Sequence, residues 1–368
     1  MKASRAIRII TSLSVGVVAV ASLSWLGLGH VSGQISRIDV FGTLKNRPAK
    51  TSQALNYLVV GSDSREGLTK AQIKALKVGS TAVAAGGRSD TMLLVHISKA
   101  RDAAFIVSIP RDTLVTVPAH KSQDGTRDIP ARPGKINAAF AFGGAPLLIQ
   151  ALEEKTNLKI DHYVEISFAG FTGVVDALGG IEVCSKVNIN DPKSHLVMSA
   201  GVHQLDGIEA LKYVRTRDFD GRGDIGRMER QQQFISSVLR KATSTGVLLN
   251  PLKLANFYNA TISTVKMDTS VSKEDLLTLA RQMRNLSSGN VRTLTVPLSD
   301  PNGNVPGVGS VVIWDEVLAQ DLWTKIRNDE PLLDLVKPTA SPSAKPVKID
   351  KFKSKTAADN PCAAKANA

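Results

Sequence analysis

Three apolar runs stand out early in the chain: Leu55 to Gly61, Met92 to Ile97 and Ala103 to Ile109. Each reads as a buried strand. Between the first two, Leu68, Ile73, Leu76 and Val78 fall at helical spacing, followed by small residues from Thr81 to Gly87. This segment reads as a mobile excursion over a cleft. After Pro133 the pattern changes. Lys135 to Gly144 suits a short helix stopped by glycine, and Gly144 to Thr156 an amphipathic one. Tyr163 to Phe168 alternates as a half-buried strand, Phe168 to Leu178 returns to helix, and Ile181 to Cys184 is strand again. Asp206 to Tyr213 and Gly226 to about Ala242 are helical. Leu252 to Thr264 follows as a helix after Pro251, and Ser272 opens another with a capping box. Val291 to Leu298 reads as a strand and Ile313 to Ile326 as a helix. Such alternation argues for an α/β layered fold.

The flanks differ in character. Residues 1–8 carry Lys2, Arg5 and Arg8 ahead of an apolar span at 9–31. That span is long enough to cross a bilayer, and the preceding basic residues predict a cytoplasmic N-terminus with an exported remainder. A cleaved signal peptide is the competing reading; the span's length and the want of a clear A-x-A site favour an uncleaved signal anchor. Residues 32–54 read as a stalk, 55–245 as the core, 246–336 as its completion and 337–368, rich in Lys, Pro, Ser and Ala, as a disordered tail. The net charge of +13 sits mostly in the two flanks, and the globular part is close to neutral. This argues against nucleic acid as a partner and fits contact with a membrane surface or a wall polymer.

The candidate chemistry lies at the strand ends, where open α/β sheets place it. Ser62-Asp63-Ser64-Arg65 closes the first run, Arg88-Ser89-Asp90-Thr91 opens the second, and Pro110-Arg111-Asp112-Thr113 closes the third. Two carboxylates suit a hard divalent cation, and arginines suit the phosphate oxygens it would bridge. Surface charges or structural ion pairs are the bland alternative. Arg215 and Arg217 would point the same way from an extended segment. Arg227 and Gln231 share a helix face that can meet an anion near the helix N-terminus. Cys184 and Cys362 could form one disulfide or remain two free thiols. No zinc spacing, G-x-S-x-G or Walker A pattern is present.

The ordered set Gly61-Ser62-Asp63-Ser64-Arg65, Arg88-Ser89-Asp90-Thr91-Met92, Ser108-Ile109-Pro110-Arg111-Asp112-Thr113, Lys135-Ile136-Asn137-Ala138-Ala139, Asp161-His162-Tyr163-Val164-Glu165, Val175-Asp176-Ala177-Leu178-Gly179-Gly180, Tyr213-Val214-Arg215-Thr216-Arg217 and Arg227-Met228-Glu229-Arg230-Gln231-Gln232 resembles the LytR-CpsA-Psr family. The resemblance implies an α-β-α sandwich around a mixed central sheet, behind an N-terminal transmembrane helix, with a hydrophobic pocket for a polyprenyl lipid. It implies transfer of a glycopolymer from a polyprenyl-pyrophosphate carrier to peptidoglycan, forming a phosphodiester at the outer face of the cell membrane. It implies Asp63 and Asp90 as carboxylates for Mg2+ or Mn2+, with Arg111 beside them in catalysis. Arg88, Arg111, Arg215, Arg217 and Gln231 would clamp the pyrophosphate, supported by Arg65, Asp224 and Arg227. The sequence leaves open whether Asp63 or Asp90 takes the acceptor's proton. Two other readings remain: a phosphatase with water as acceptor, and a transcriptional attenuator, which the near-neutral core disfavours.

Overall fold

The computed structural model describes residues 36–78, 89–244, 265–272, 275, 278, 279, 282, 286, 288–331, 354–357 and 362. Its centre is an eight-stranded mixed sheet. In chain order the strands are β1 (Ser36–Ile38), β2 (Leu55–Ser62), β3 (Ser89–Ile97), β4 (Ala104–Ile109), β5 (His162–Ile166), β6 (Val265–Asp268), β7 (Val291–Thr295) and β8 (Lys355–Thr356). Across the sheet the order is β1-β6-β5-β2-β3-β4-β7-β8. The three runs seen in the sequence are β2, β3 and β4, an antiparallel meander at the centre. β5 and β7 join it in parallel, one on each side.

Flanking helices are α1 (Lys70–Leu76), α2 (Ile136–Thr156), α3 (Phe168–Ala177), α4 (Gly207–Arg215), α5 (Gly223–Ser244) and α6 (Glu316–Asn328). Side chains alternate across a strand, so each sheet face needs cover. Leu58, Val60, Met92, Leu94 and Val107 pack with α2 and α6 on one face. Val59, Leu93, Val95 and Ile106 meet Ile235 and Leu239 of α5 on the other. α1, α3 and α4 build a second apolar cluster beside α5. This is the expected layered arrangement around a mixed sheet.

Several expectations need correction. Residues 36–54 are packed on the domain, although the sequence suggested a stalk over 32–54. β1 pairs with β6, Val40 is fully buried, and Arg47 forms an ion pair with the buried Glu153 at 2.7 Å. Part of the suggested tail is likewise docked. β8 covers the outer edge of β7, Ala357 is buried, and Cys362 is bonded to Cys184 with their Cα atoms 5.8 Å apart. An unpaired sheet edge invites such a strand. Ile313 and Trp314 end the strand Gly309–Trp314, and α6 starts only after the Asp315 cap, whose carboxylate accepts from the Leu318 N–H. In the excursion after Asp63, α1 is capped by Thr69 and Gln72 and buries Leu76 against the α4 cluster. The capping box expected at Ser272 forms with Asp275. The helix expected over Leu252 to Thr264 and the membrane span at 9–31 lie outside the described residues.

Among the described residues one helix, α2, is long and apolar enough to cross a membrane. Its burial in the core accounts for that composition, and it kinks at Gly144, whose φ is 64°.

The disulfide closes a loop of 178 residues. Cross-linking across so long a loop restricts the unfolded chain strongly. Cys362→Ser is therefore expected to lower the unfolding free energy by about 2–4 kcal/mol, read as a lower denaturant midpoint for the oxidised protein. An unchanged midpoint would show that the bond adds nothing to stability.

Candidate active site

One face of β2 and β3 carries Val59, Gly61, Thr91 and Leu93 toward α3, α4 and α5, and a cavity of about 380 Å³ remains between them. Part of its lining is apolar, with Phe171, Phe234, Ile235 and Val238. Its charged end, here called the mouth, carries Asp63, Arg111, Arg215, Arg217, Arg227 and Gln231. Gly61 keeps the wall thin: a Cβ there would come 3.2 Å from the Thr91 Cβ.

Each mouth residue has an identifiable mount. Asp63 sits in the turn after β2. The Ser64 carbonyl there accepts from the Phe168 N–H at 3.3 Å, tying the turn to the start of α3. On β3, Thr91 pairs with Gly61 and Ser89 with Ser62, which leaves Asp90 as the extra residue of a β-bulge. Bulges re-aim the chain next to functional sites. The antiparallel pairing brings the two Asp positions to the same end of these central strands. Arg88 lies outside the described residues.

Arg111 follows β4 in a turn pinned by the first amides of α2. The Asn137 N–H donates to the Arg111 carbonyl at 3.1 Å, and the Ile136 N–H to that of Thr113 at 2.9 Å. The Trp314 indole N–H donates to Thr113 Oγ1 at 3.1 Å. Helix N-termini carry unsatisfied donors, and here they fix the backbone of a site arginine.

Asp224, in the first turn of α5, is the hub of the cluster. Its carboxylate lies 2.9 Å from Arg227, 3.9 Å from Arg111 and 4.0 Å from Arg217. Three guanidinium groups from separate segments are thus gathered around one carboxylate. Asp112 and Asp218 lie 3.5 and 3.6 Å from Arg111 and Arg217, so these three arginines face three carboxylates, and Arg215 on the same cavity adds a further cation that an anion can meet. Arg217 Nε is buried without a hydrogen-bond acceptor among the described residues, and its nearer carboxylate, Asp218, is 3.6 Å away.

Arg215 and Arg217 reach the cavity by a route the sequence reading did not foresee. Arg215 is the last residue of α4, and the chain leaves the helix at Thr216, at φ −61° and ψ 137°. Arg215 stacks over Phe168, 5.2 Å from the ring centre. Arg227 and Gln231 do share a buried helix face. The Gln231 amide nitrogen donates to Thr91 Oγ1 at 3.0 Å and to the Val214 carbonyl at 3.1 Å, holding α5 to both β3 and α4. Arg65 sits in the turn after Asp63, where its carbonyl accepts from the Leu68 N–H, and it is not among the residues lining the cavity.

Two supporting residues had no role assigned from the sequence. Arg230 donates to Asp220 at 2.8 Å and to the Thr216 carbonyl at 2.7 Å, and packs on Phe219. Asp191 accepts backbone N–H bonds from Lys193, Ser194, Arg217 and Asp218. Its place before Pro192 in a turn was the available signal, since Asp in turns captures nearby amides. Burial pushes the Asp191 carboxyl up, but the four donors outweigh it and hold it at about 2. The unfolded value is about 3.9. The contribution is therefore complete above about pH 4 and is lost as pH falls through about 2. Asp191→Ala is expected to cost about 1–3 kcal/mol, because it strands buried amides. It should also weaken anion binding through Arg217, measurable by calorimetry with pyrophosphate. Unchanged binding would separate Asp191 from the site.

The LytR_cpsA_psr family model matches residues 32–328. The probable cell wall biosynthesis protein LcpB of Corynebacterium glutamicum is 37% identical over 316 residues, 86% of this chain and 69% of that one. The Enterococcus faecalis polyisoprenyl-teichoic acid–peptidoglycan teichoic acid transferase TagU is 34% identical over 201 residues, 54% of this chain and 60% of that one. In fold, the chain resembles a LytR-Csp2A-Psr enzyme from Actinomyces oris, with a TM-score of 0.57, 22% identity and coverage of 80% of this chain and 96% of that one. With the family model spanning most of its length, the chain belongs to the LytR-CpsA-Psr family.

Proposed function

We propose that the chain moves a glycopolymer from a polyprenyl-pyrophosphate carrier to a sugar hydroxyl of peptidoglycan, leaving a phosphodiester link. The observation that carries this reading is a cavity whose lining joins an apolar stretch to Asp63, Arg111, Arg215, Arg217 and Arg227. A prenyl chain needs the first and a pyrophosphate the second. The name of the TagU relative describes a transfer of this class.

Phosphoryl transfer asks mainly for positioning and charge neutralisation. The acceptor hydroxyl oxygen would attack the glycan-side phosphorus. The bond from that phosphorus to the bridging oxygen breaks, and polyprenyl monophosphate leaves with the electron pair. Arg111, Arg215 and Arg217 offer planar donors to the non-bridging oxygens. Asp63 or Asp90 would take the hydroxyl proton. Among the described residues no three His, Cys, Asp or Glu side chains converge. Mg2+ keeps few protein ligands and completes its shell with phosphate oxygens and water, and Asp63 lines the cavity. Asp63 and Asp90 would hold that ion, or Mn2+, and the ion would neutralise charge on the pyrophosphate. On this reading the 9–31 span anchors the chain in the membrane with its N-terminus inside, and the domain works outside.

The test is acceptor dependence. The full chain is given carrier-linked glycan with and without peptidoglycan fragments, and polyprenyl monophosphate is measured. Release that requires the fragments supports transfer. Equal release without them, with free phosphorylated glycan, would assign water as the acceptor.

A further inference from the structure

The long hairpin after α3 carries a feature that the transfer reaction does not use. It consists of two antiparallel ladders, Ile181–Ser185 with Gly201–Leu205 and Ile189–Asp191 with Leu196–Met198. The Ala200 N–H donates to Asn188 Oδ1 at 2.8 Å and joins them into one arm. The arm's inner side belongs to the α4 cluster through Ile181, Val183, Ile189 and Leu196. Its outer side, to which Cys362 is tied through Cys184 opposite Val202, is otherwise greasy. Among the described residues five large apolar side chains are exposed, and three of them, Val187, Val197 and Val202, lie on this arm at 52%, 79% and 54% exposure. Lone exposed valines need no explanation, but a group on one element marks an interaction surface.

Two further observations indicate what covers it. Lys186 is exposed beside Val187, and Lys193 keeps a side chain 69% exposed although its amine touches Asp218. The turn that holds Lys193 and Ser194 also lines the cavity mouth. Apolar side chains flanked by lysines suit the boundary between headgroups and acyl chains of an anionic bilayer. Glu182, at the base of the arm, is the one acidic residue on the outer side of these ladders.

We infer that this hairpin is the face with which the domain meets an anionic membrane surface, setting the cavity mouth at headgroup level. The inference rests on the proposed lipid carrier. A prenyl chain cannot cross water cheaply, so the mouth must approach the phase in which the carrier dissolves. The arm would make that approach.

The experiment uses the full chain in vesicles of phosphatidylglycerol and phosphatidylcholine with brominated acyl chains, in a Trp25→Phe background. Trp314 and Trp323 are buried in the core and supply a constant signal. Tryptophan is introduced by Val197→Trp, Val202→Trp or Val317→Trp. Val317 is exposed on α6, across the sheet from the hairpin. Bromine quenching of the added fluorescence at 197 and 202, with none at 317, is the expected result. Equal quenching at all three positions, or none at 197 and 202, overturns the inference. Separately, Val197→Asp combined with Val202→Asp is expected to slow transfer from vesicle-borne carrier about tenfold. Turnover of a water-soluble short-prenyl analogue should stay unchanged. Equal slowing with both substrates would overturn the docking role. Should the wild-type chain turn over neither substrate, the transfer reading fails, while the quenching pattern still decides the membrane face.

Discussion

Arg111→Ala is expected to lower the rate of transfer by about 10²–10³-fold, the usual cost of removing one preorganised charge-stabilising donor. The side chain is about one-fifth exposed at the cavity mouth, 3.5 Å from Asp112 and 3.9 Å from Asp224. Its backbone is held by the α2 amides and the Trp314–Thr113 bond. Those contacts do not involve the guanidinium, so the fold should survive the change and the thermal midpoint should stay close to that of the parent. Arg111→Lys keeps the charge but loses the planar pair of donors, and should recover only part of the rate. A full rate in Arg111→Ala, with intact folding, would remove Arg111 from the machinery.

The second large effect concerns the slot. Val238 lines the cavity three helical turns beyond Arg227 on α5. At 1.5 Å per residue, the distance along the helix is about 16 Å. Val238→Trp would fill space that a long prenyl chain needs while leaving the charged mouth alone. The expected outcome is a rise in KM of about 10–100-fold for a long-chain carrier, from several methylenes losing their burial. A short-chain analogue should keep its KM. Equal loss for both carriers would mean that the lipid lies elsewhere or that the helix has moved.

The central meander was legible because its three apolar runs are long and bounded by charge. Most of the mouth was legible because Asp and Arg recur together at three strand ends and Arg227 and Gln231 share one helix face. What stayed hidden came from long-range contacts. Nothing local in Ser36–Ile38 or Lys355–Thr356 announces an edge strand, since their partners lie far away in sequence. The Trp314 stretch has apolar spacing that suits either state, and the Asp315 cap decides where helix begins. Asp191 and Arg230 act by holding backbone rather than by facing the cavity centre, so no spacing rule singles them out. Asp224 was visible as a supporting acid, but its position among three arginines required the fold.

The most direct test follows the phosphorus atom. The carrier is prepared with 32P only in the phosphate next to the glycan and given to the full-length protein with peptidoglycan fragments. The account predicts that the label enters a phosphodiester joining glycan to peptidoglycan, and that unlabelled polyprenyl monophosphate is released in equal amount. Arg217→Ala should suppress both products together. Label recovered as inorganic phosphate, or retained on the prenyl chain while glycan reaches peptidoglycan, would contradict it.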